Sequence, residues 1–293
     1  MKKHFPPIRR YSLGAGLALS LGLLACTESE TKFTPTPTTP TTPTTTPAVN
    51  EDPRDYGQYN SLVWSDEFTT GPLDLTKWSY ELGGGGWGNN ELQAYTNSAD
   101  NTFISGGNLT IQARREQSGN NGYTSARLIT KGKQSFRYGR LDIRAKVPKG
   151  KGVWPAIWML GSDIDQNNWP RCGEIDIMEL RGSTPDQLLS TMHFGNSTAD
   201  HRFKGTTKIQ PAPLSDDFHV YSVVRSKDLL RFYVDEQLYY TFTGSDASPF
   251  PFNNPFFMIL NVAVGGDFDG DPTPSTVFPQ QMQVDYVRHY QYK

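Results

Sequence analysis

In three well-separated runs, apolar side chains recur at every second position, and that spacing is the strongest limit on the fold. Leu109, Ile111 and Ala113 alternate with Thr110, Gln112 and Arg114, and Leu141, Ile143, Ala145 and Val147 alternate with Asp142, Arg144 and Lys146. Met282, Val284 and Tyr286 continue the pattern near the C-terminal end. A period of two sends alternate side chains to opposite faces of a strand, one face for a core and one for water. Clusters of Gly, Pro, Asn and Asp separate such runs at short intervals, and no amphipathic helical pattern of useful length interrupts them. The expectation is an all-β fold, two antiparallel sheets packed as a β-sandwich.

The N-terminal stretch belongs to a different class. Lys2, Lys3, Arg9 and Arg10 precede an apolar run from Tyr11 to Ala25, shorter than the ~20 residues that cross a bilayer as a helix. The run closes on Leu23-Leu24-Ala25-Cys26, which resembles a bacterial lipobox. Residues 1–26 are therefore expected to be a lipoprotein signal peptide with Cys26 as the lipidated residue. An ordinary cleaved signal with an incidental cysteine is the alternative. Thr27 resembles an outer-membrane sorting signal, which makes the expected location the bacterial outer membrane, on its surface or periplasmic face. Residues 27–50 are dominated by Thr and Pro; they carry too little apolar surface for a core and favour extended polyproline geometry, as a tether would. Residues 51–293 are one domain's worth of chain. A net charge of −2 supplies no basic patch, so nucleic acid is not an expected partner. With Cys26 committed to lipid, Cys172 has no intrachain partner, and a small packed thiol is its expected role. No Cys/His cluster has zinc spacing.

Chemistry concentrates in Glu174-Ile175-Asp176-Ile177-Met178-Glu179. In a regular strand Glu174 and Asp176 share one face and Ile175 and Ile177 the other. Glu179 then falls in with the isoleucines, where an unpaired carboxylate costs several kcal/mol. One extra residue bulged out at Ile177-Met178 restores the phase and returns Glu179 to the acidic face. Four strand steps separate Cα atoms by roughly 13 Å, and two inward-leaning glutamates then come within reach of the about 5–5.5 Å that a retaining glycosidase needs between its carboxyls. Asp176 between them is placed to bond one acid and raise the pKa of the other. A solvated acidic strand face is the plainer reading of the same spacing.

The motif Glu-Ile-Asp-Ile-Met-Glu resembles the bulged signature of glycoside hydrolase family 16. From Trp64-Ser65-Asp66-Glu67-Phe68 to Val284-Asp285-Tyr286-Val287 the chain is similar to the bacterial laminarinases (endo-β-1,3-glucanases) of that family. The resemblance implies a jelly roll whose concave sheet carries a substrate cleft. Glu174 would be the nucleophile, Glu179 the acid/base and Asp176 the residue that orients and tunes them.

Trp154, Ala156 and Trp158 share one face of a second strand while Ile157 and Met159 supply its core face. The two indoles are thus candidate platforms for sugar rings, with ordinary core packing as the alternative; by resemblance they line the subsites beside the nucleophile. Gly83-Gly84-Gly85-Gly86-Trp87-Gly88-Asn89-Asn90 is no phosphate cradle, because no Gly-Lys-Ser/Thr follows. A flexible turn explains its glycines, and Trp87 and Asn89 are candidate rim contacts, Asn89 through the resemblance. Glu91 is expected to anchor this loop. Arg127, a surface charge on its own merits, matches a cleft position of the family. Trp169 is expected as a side wall and Asn261, polar in an apolar strand, as facing the cleft; His193, on its own a satisfied polar residue, is placed close to the acid/base by the resemblance. The resemblance further implies a structural calcium held by Glu67, the Gly107 carbonyl and Asp285, an all-oxygen set, with no cofactor for catalysis. Asp267-Phe268-Asp269-Gly270-Asp271 begins like a calcium loop but lacks the closing glutamate, and is expected to be a surface turn near the cleft.

The resulting expectation is a monomeric endo-acting retaining hydrolase of β-1,3-glucan (laminarin), touching the membrane only through lipid. Agarose, carrageenan or mixed-linkage glucan as substrate, transglycosylation in place of hydrolysis, and a non-catalytic glucan-binding lipoprotein are the alternatives. The last of these would not need both glutamates.

Overall fold

The computed structural model describes residues 50–293. The expected signal peptide, Cys26, and the tether up to residue 49 lie outside the described residues. Asn50, assigned to the tether from sequence, is 2% exposed; its amide donates to the Tyr292 carbonyl at 3.1 Å and accepts from the Tyr292 N–H at 2.6 Å. The folded domain therefore includes it.

The strands are β1 (Ser61–Asp66), β2 (Ser79–Tyr80), β3 (Gln93–Tyr95), β4 (Thr102–Ser105), β5 (Asn108–Ala113), β6 (Tyr123–Ser125), β7 (Arg127–Ile129), β8 (Gly139–Lys146), β9 (Val153–Gly161), β10 (Glu174–Glu179), β11 (Gln187–Phe194), β12 (Arg202–Ile209), β13 (His219–Ser226), β14 (Leu229–Val234), β15 (Gln237–Thr243), β16 (Phe256–Val264) and β17 (Gln280–Gln291). Short 3-10 turns are the sole helical elements among the described residues, and none could cross a membrane. One antiparallel sheet runs β15-β14-β13-β8-β17-β5-β4, with β1 also on β17; the other runs β12-β11-β10-β9-β16-β7-β2. Long connections carry the chain back and forth between them, giving a jelly-roll sandwich.

The alternation explains the core. Leu109, Ile111, Leu141, Ile143 and Ala145 from one sheet meet Ile157, Met159, Ile175 and Met192 from the other, all essentially without exposure. Each large aliphatic side chain buried there contributes roughly 1.5–3 kcal/mol. At the C-terminal end the expected pattern breaks. Register shifts in β17 between Val284 and Tyr286, so Val287 rather than Tyr286 enters the core. Tyr286 instead lies under the Arg288 guanidinium, 3.7 Å from its ring centre.

That same shift bears on the expected calcium set. β5 pairs with Gln280–Val284 and β1 with Val287–Gln291, so the two strands abut at Asp285-Tyr286 and bring Glu67 and Gly107, at their near ends, toward Asp285. The donor chemistry suits calcium, but both acids are already ion-paired. Arg288 donates to Glu67 at 2.7 and 3.1 Å, and Arg144 to Asp285 at 2.7 Å. A cation there has to displace both arginines.

Candidate active site

β10 is the third strand from the β12 edge of its seven-stranded sheet, between β9 and β11. Along β9, Asp176 pairs with Trp158 and Met178 with Ile157; along β11, Asp176 pairs with Thr191 and Glu179 with Leu189. The β9 ladder skips Ile177, and the β11 ladder leaves both Ile177 and Met178 unpaired. The expected bulge is present, and both Ile177 and Met178 sit in the core with 1% exposure or less. Glu179 therefore returns to the face of Glu174 and Asp176, opposite Ala156.

The three carboxyls are nearly enclosed, at 7%, 2% and 9% exposure for Glu174, Asp176 and Glu179. The Trp169 indole donates to Glu174 Oε2 at 2.5 Å, and the Trp154 indole to Glu179 Oε1 at 3.1 Å. His193 Nε2 lies 3.2 Å from Asp176 Oδ2 and 3.9 Å from Glu174 Oε1. Burial, then the charges of Asp176 and Glu174, push the Glu179 carboxyl up to about 8, against the opposing effects of His193 and the Trp154 bond. Burial pulls the His193 imidazole down, but Glu174, Asp176 and Glu179 outweigh it and bring it up to about 9. The cluster thus favours the protonated form of both Glu179 and His193. His193 Nδ1 lies 2.9 Å from His201 Nε2, and in its charged form, which donates from both nitrogens, His193 is the donor of that bond. Ligand atoms of Glu174, Asp176 and His193 lie within 4.8 Å of one another, close enough for a cation to bridge, although the same atoms already serve the bonds above.

Each expected contact residue has a definite place. Trp154 and Trp158 are half-buried on the acidic face. Phe268 stacks on Trp154 at 4.5 Å and 24°, and Arg127 lies 4.7 Å from the Trp158 ring and 4.8 Å from the Trp87 ring. Each β9 tryptophan thus has a partner from the protein on one ring face. Arg127 is no surface charge: it is 9% exposed and donates to Glu81 at 2.5 Å. Asn261 faces the same side but is a bracket, accepting from Trp158 Nε1 at 2.7 Å and donating to Tyr95 at 3.0 Å. Tyr95 in turn donates to Glu91, which also takes Gln93 at 2.7 Å and Asn89 at 3.1 Å. Glu91 anchors the glycine-rich loop, as expected, and its burial raises its pKa. Asn89 points back at that buried acid. Trp87 bonds its own loop at Gly83 and joins the wall through Arg127.

Trp169 is held in a small apolar cluster with Cys172, Leu160, Phe257 and Ile259 on the acidic side of the sheet. Cys172 is free and fully buried, a packed thiol beside the acidic strand. The 267–271 segment departs from expectation. Asp269 is 4% exposed and accepts from the N–H groups of Gly152 and Ser183 and from the Ser183 hydroxyl. It is an internal staple, because four polar groups from two other loops converge on it, Lys151 included. Sequence reasoning missed His201, Phe268 and Tyr95. His201 follows His193 across the β11–β12 connection, and pairing those strands from sequence would have found it.

Residues 89–288 match the family described as Glycosyl hydrolases family 16. Glucan endo-1,3-beta-glucosidase A1 of Niallia circulans is 43% identical over 262 residues, which cover 78% of this chain and 38% of that longer protein. Beta-glucanase of Rhodothermus marinus is 42% identical over 259 residues, covering 83% of this chain and 90% of that one. Among solved structures, the laminarinase catalytic domain of Thermotoga maritima MSB8 superposes with a TM-score of 0.75 at 43% identity, covering 80% of this chain and 98% of that chain.

Proposed function

This chain belongs to glycosyl hydrolases family 16, and from that premise we propose that it is an endo-acting, retaining β-1,3-glucanase that cleaves laminarin by double displacement. The observation that carries the reading is the pair of unlike carboxyls across the bulge: Glu179 is buried beside two acids and pushed up to about 8, while Glu174 faces the Trp169 and His193 N–H groups. Environments that separate two carboxyls in this way assign the acid and the nucleophile. Glu174 attacks the anomeric carbon as Glu179 gives its proton to the departing glycosidic oxygen. Water then attacks the glycosyl-enzyme, Glu179 takes the water's proton, and Glu174 is released as a carboxylate. Asp176 raises the pKa of Glu179 and holds His193. Trp154, Trp158, Trp169, Trp87, Asn89, Arg127, His193 and Asn261 form the surrounding wall, some touching glucan and others, like Asn261, holding those that do. The names of the similar glucanases and laminarinases support β-1,3-glucan over the other polysaccharides.

The test is a panel of purified laminarin, agarose, carrageenan and mixed-linkage glucan with detection of new reducing ends. Laminarin should be cut fastest, with oligosaccharides appearing before glucose. Release from agarose or carrageenan but not laminarin would sink the substrate assignment.

The proposal extends to an outer-membrane lipoprotein, monomeric and anchored at Cys26, on the strength of Leu23-Leu24-Ala25-Cys26 and the tether. Globomycin-sensitive processing and acyl labelling lost in Cys26→Ala test it. A structural calcium at Glu67, the Gly107 carbonyl and Asp285 is its remaining part, supported by the meeting of β1 and β5 on β17. A chelator that leaves Tm unmoved rules it out.

A further inference from the structure

Phase alone requires one extra residue between Asp176 and Glu179 but does not say which. Ile177 and Met178 are both apolar, both buried, and equally able to be skipped. Along β9 the ladder passes from Asp176 to Met178 and skips Ile177, while along β11 Ile177 and Met178 both go unpaired opposite Ser190. The Ile177 carbonyl lies inside the sandwich, where an unsatisfied acceptor costs about 1–3 kcal/mol. Ser190, fully buried on β11 opposite the bulge, donates its hydroxyl to that carbonyl at 2.7 Å. Tyr239, reaching across from β15 of the other sheet, has its hydroxyl 2.6 Å from Ser190 Oγ and 3.4 Å from the Ile177 carbonyl. A serine hydroxyl has one proton. With it given to Ile177, the tyrosine donates to the serine, and the two form a relay ending on the bulge.

We propose that Ser190 and Tyr239 are positioning residues for Glu179: their hydroxyls select Ile177 as the skipped residue and so hold the acid beyond it in one orientation over the groove. Neither touches substrate. The inference rests on the reading of Glu179 as the acid/base. Without the relay the bulge is free to exchange between Ile177 and Met178, and the Glu179 carboxyl, two residues from the first and one from the second, loses its fixed direction toward the glycosidic oxygen. Groups that stay in place around Glu179 are Asp176 and Glu174 on its own strand, His193 on β11 and Trp154 on β9.

The test compares two substrates in the whole protein, laminarin and a dinitrophenyl β-glycoside of a β-1,3-glucan oligosaccharide, whose phenolate departs without a proton. In Ser190→Ala and Tyr239→Phe, kcat on laminarin should fall by on the order of tenfold at unchanged KM, part of what a positioned acid contributes. The kcat/KM on the dinitrophenyl substrate, which reports glycosylation alone, should stay within about twofold. Tyr239→Phe removes a single oxygen, and it carries the test should Ser190→Ala fail to fold. Equal losses on both substrates, or no loss on laminarin, would overturn the proposal. A parent chain inactive on both substrates would overturn the hydrolase reading, and this inference with it.

Discussion

A carboxyl that must be protonated at the start of one step and ionised at the start of the next works best with a pKa near the working pH. Glu179 is in that position because it is buried and because Asp176 and Glu174 share its pocket. The pH profile should therefore show kcat/KM falling as pH rises through about 8, the value to which Glu179 is pushed, because the first step consumes its proton. In Glu179→Gln that limb should vanish and turnover of laminarin fall by roughly 10²–10⁴-fold. In Asp176→Asn one of the charges that raise Glu179 is gone, so the limb should move to lower pH; an upward move would contradict the assignment. These acids were legible from sequence because an acid out of phase in an apolar strand is expensive and has few remedies. Arg127 was not legible as a buried group, since nothing local announces Glu81 or the two indoles that surround it.

Strands and loops were legible unevenly, for a related reason. The bulge in β10 could be read because Glu179 cannot be left in the core. The shift in β17 could not, because tyrosine is tolerated on either side of a sheet and Tyr286 gives no sign that Val287 takes the inner position. The 267–271 loop resembles a solvated turn in composition, yet Asp269 is sealed beneath it and Phe268 lies on Trp154, which donates to Glu179. Asp269→Ala should leave the N–H groups of Gly152 and Ser183 without their acceptor, at a cost of about 1–3 kcal/mol. For a domain of this size that is a fall in Tm of roughly 2–4 °C per kcal/mol, read by calorimetry. It should also weaken activity on laminarin by releasing Phe268. A variant with unchanged Tm would show that the staple is dispensable.

Across the whole molecule, the groups proposed for catalysis also make stability depend on pH. Glu179 goes from an ordinary 4.5 to about 8 on folding, and His193 from 6.5 to about 9. Both are raised, so the native chain holds protons that the unfolded chain has released, and stability falls as pH rises through each window. His289 has the opposite sign: burial lowers it to about 4, its bond to the Tyr138 carbonyl notwithstanding, so its contribution grows from about 4 to 6.5. Between 4.5 and 6.5 it offsets Glu179; between 6.5 and 8 Glu179 and His193 act together. Tm should accordingly decline more steeply above pH 6.5 than below it, and Glu179→Gln should flatten the decline. An equally steep decline in that variant would remove Glu179 from the account.

The central claim is that a single irregular strand sets Glu174 to attack sugar while Glu179 faces it from beyond the bulge. A 2-deoxy-2-fluoro β-1,3-gluco-oligosaccharide with a dinitrophenolate leaving group forms the glycosyl-enzyme but slows its release, and peptide mass mapping then locates the bond. The label is expected on Glu174, in the peptide that contains Ile175 and Asp176. A label on Asp176 or Glu179, or turnover of the natural substrate that gives the α anomer first, contradicts it.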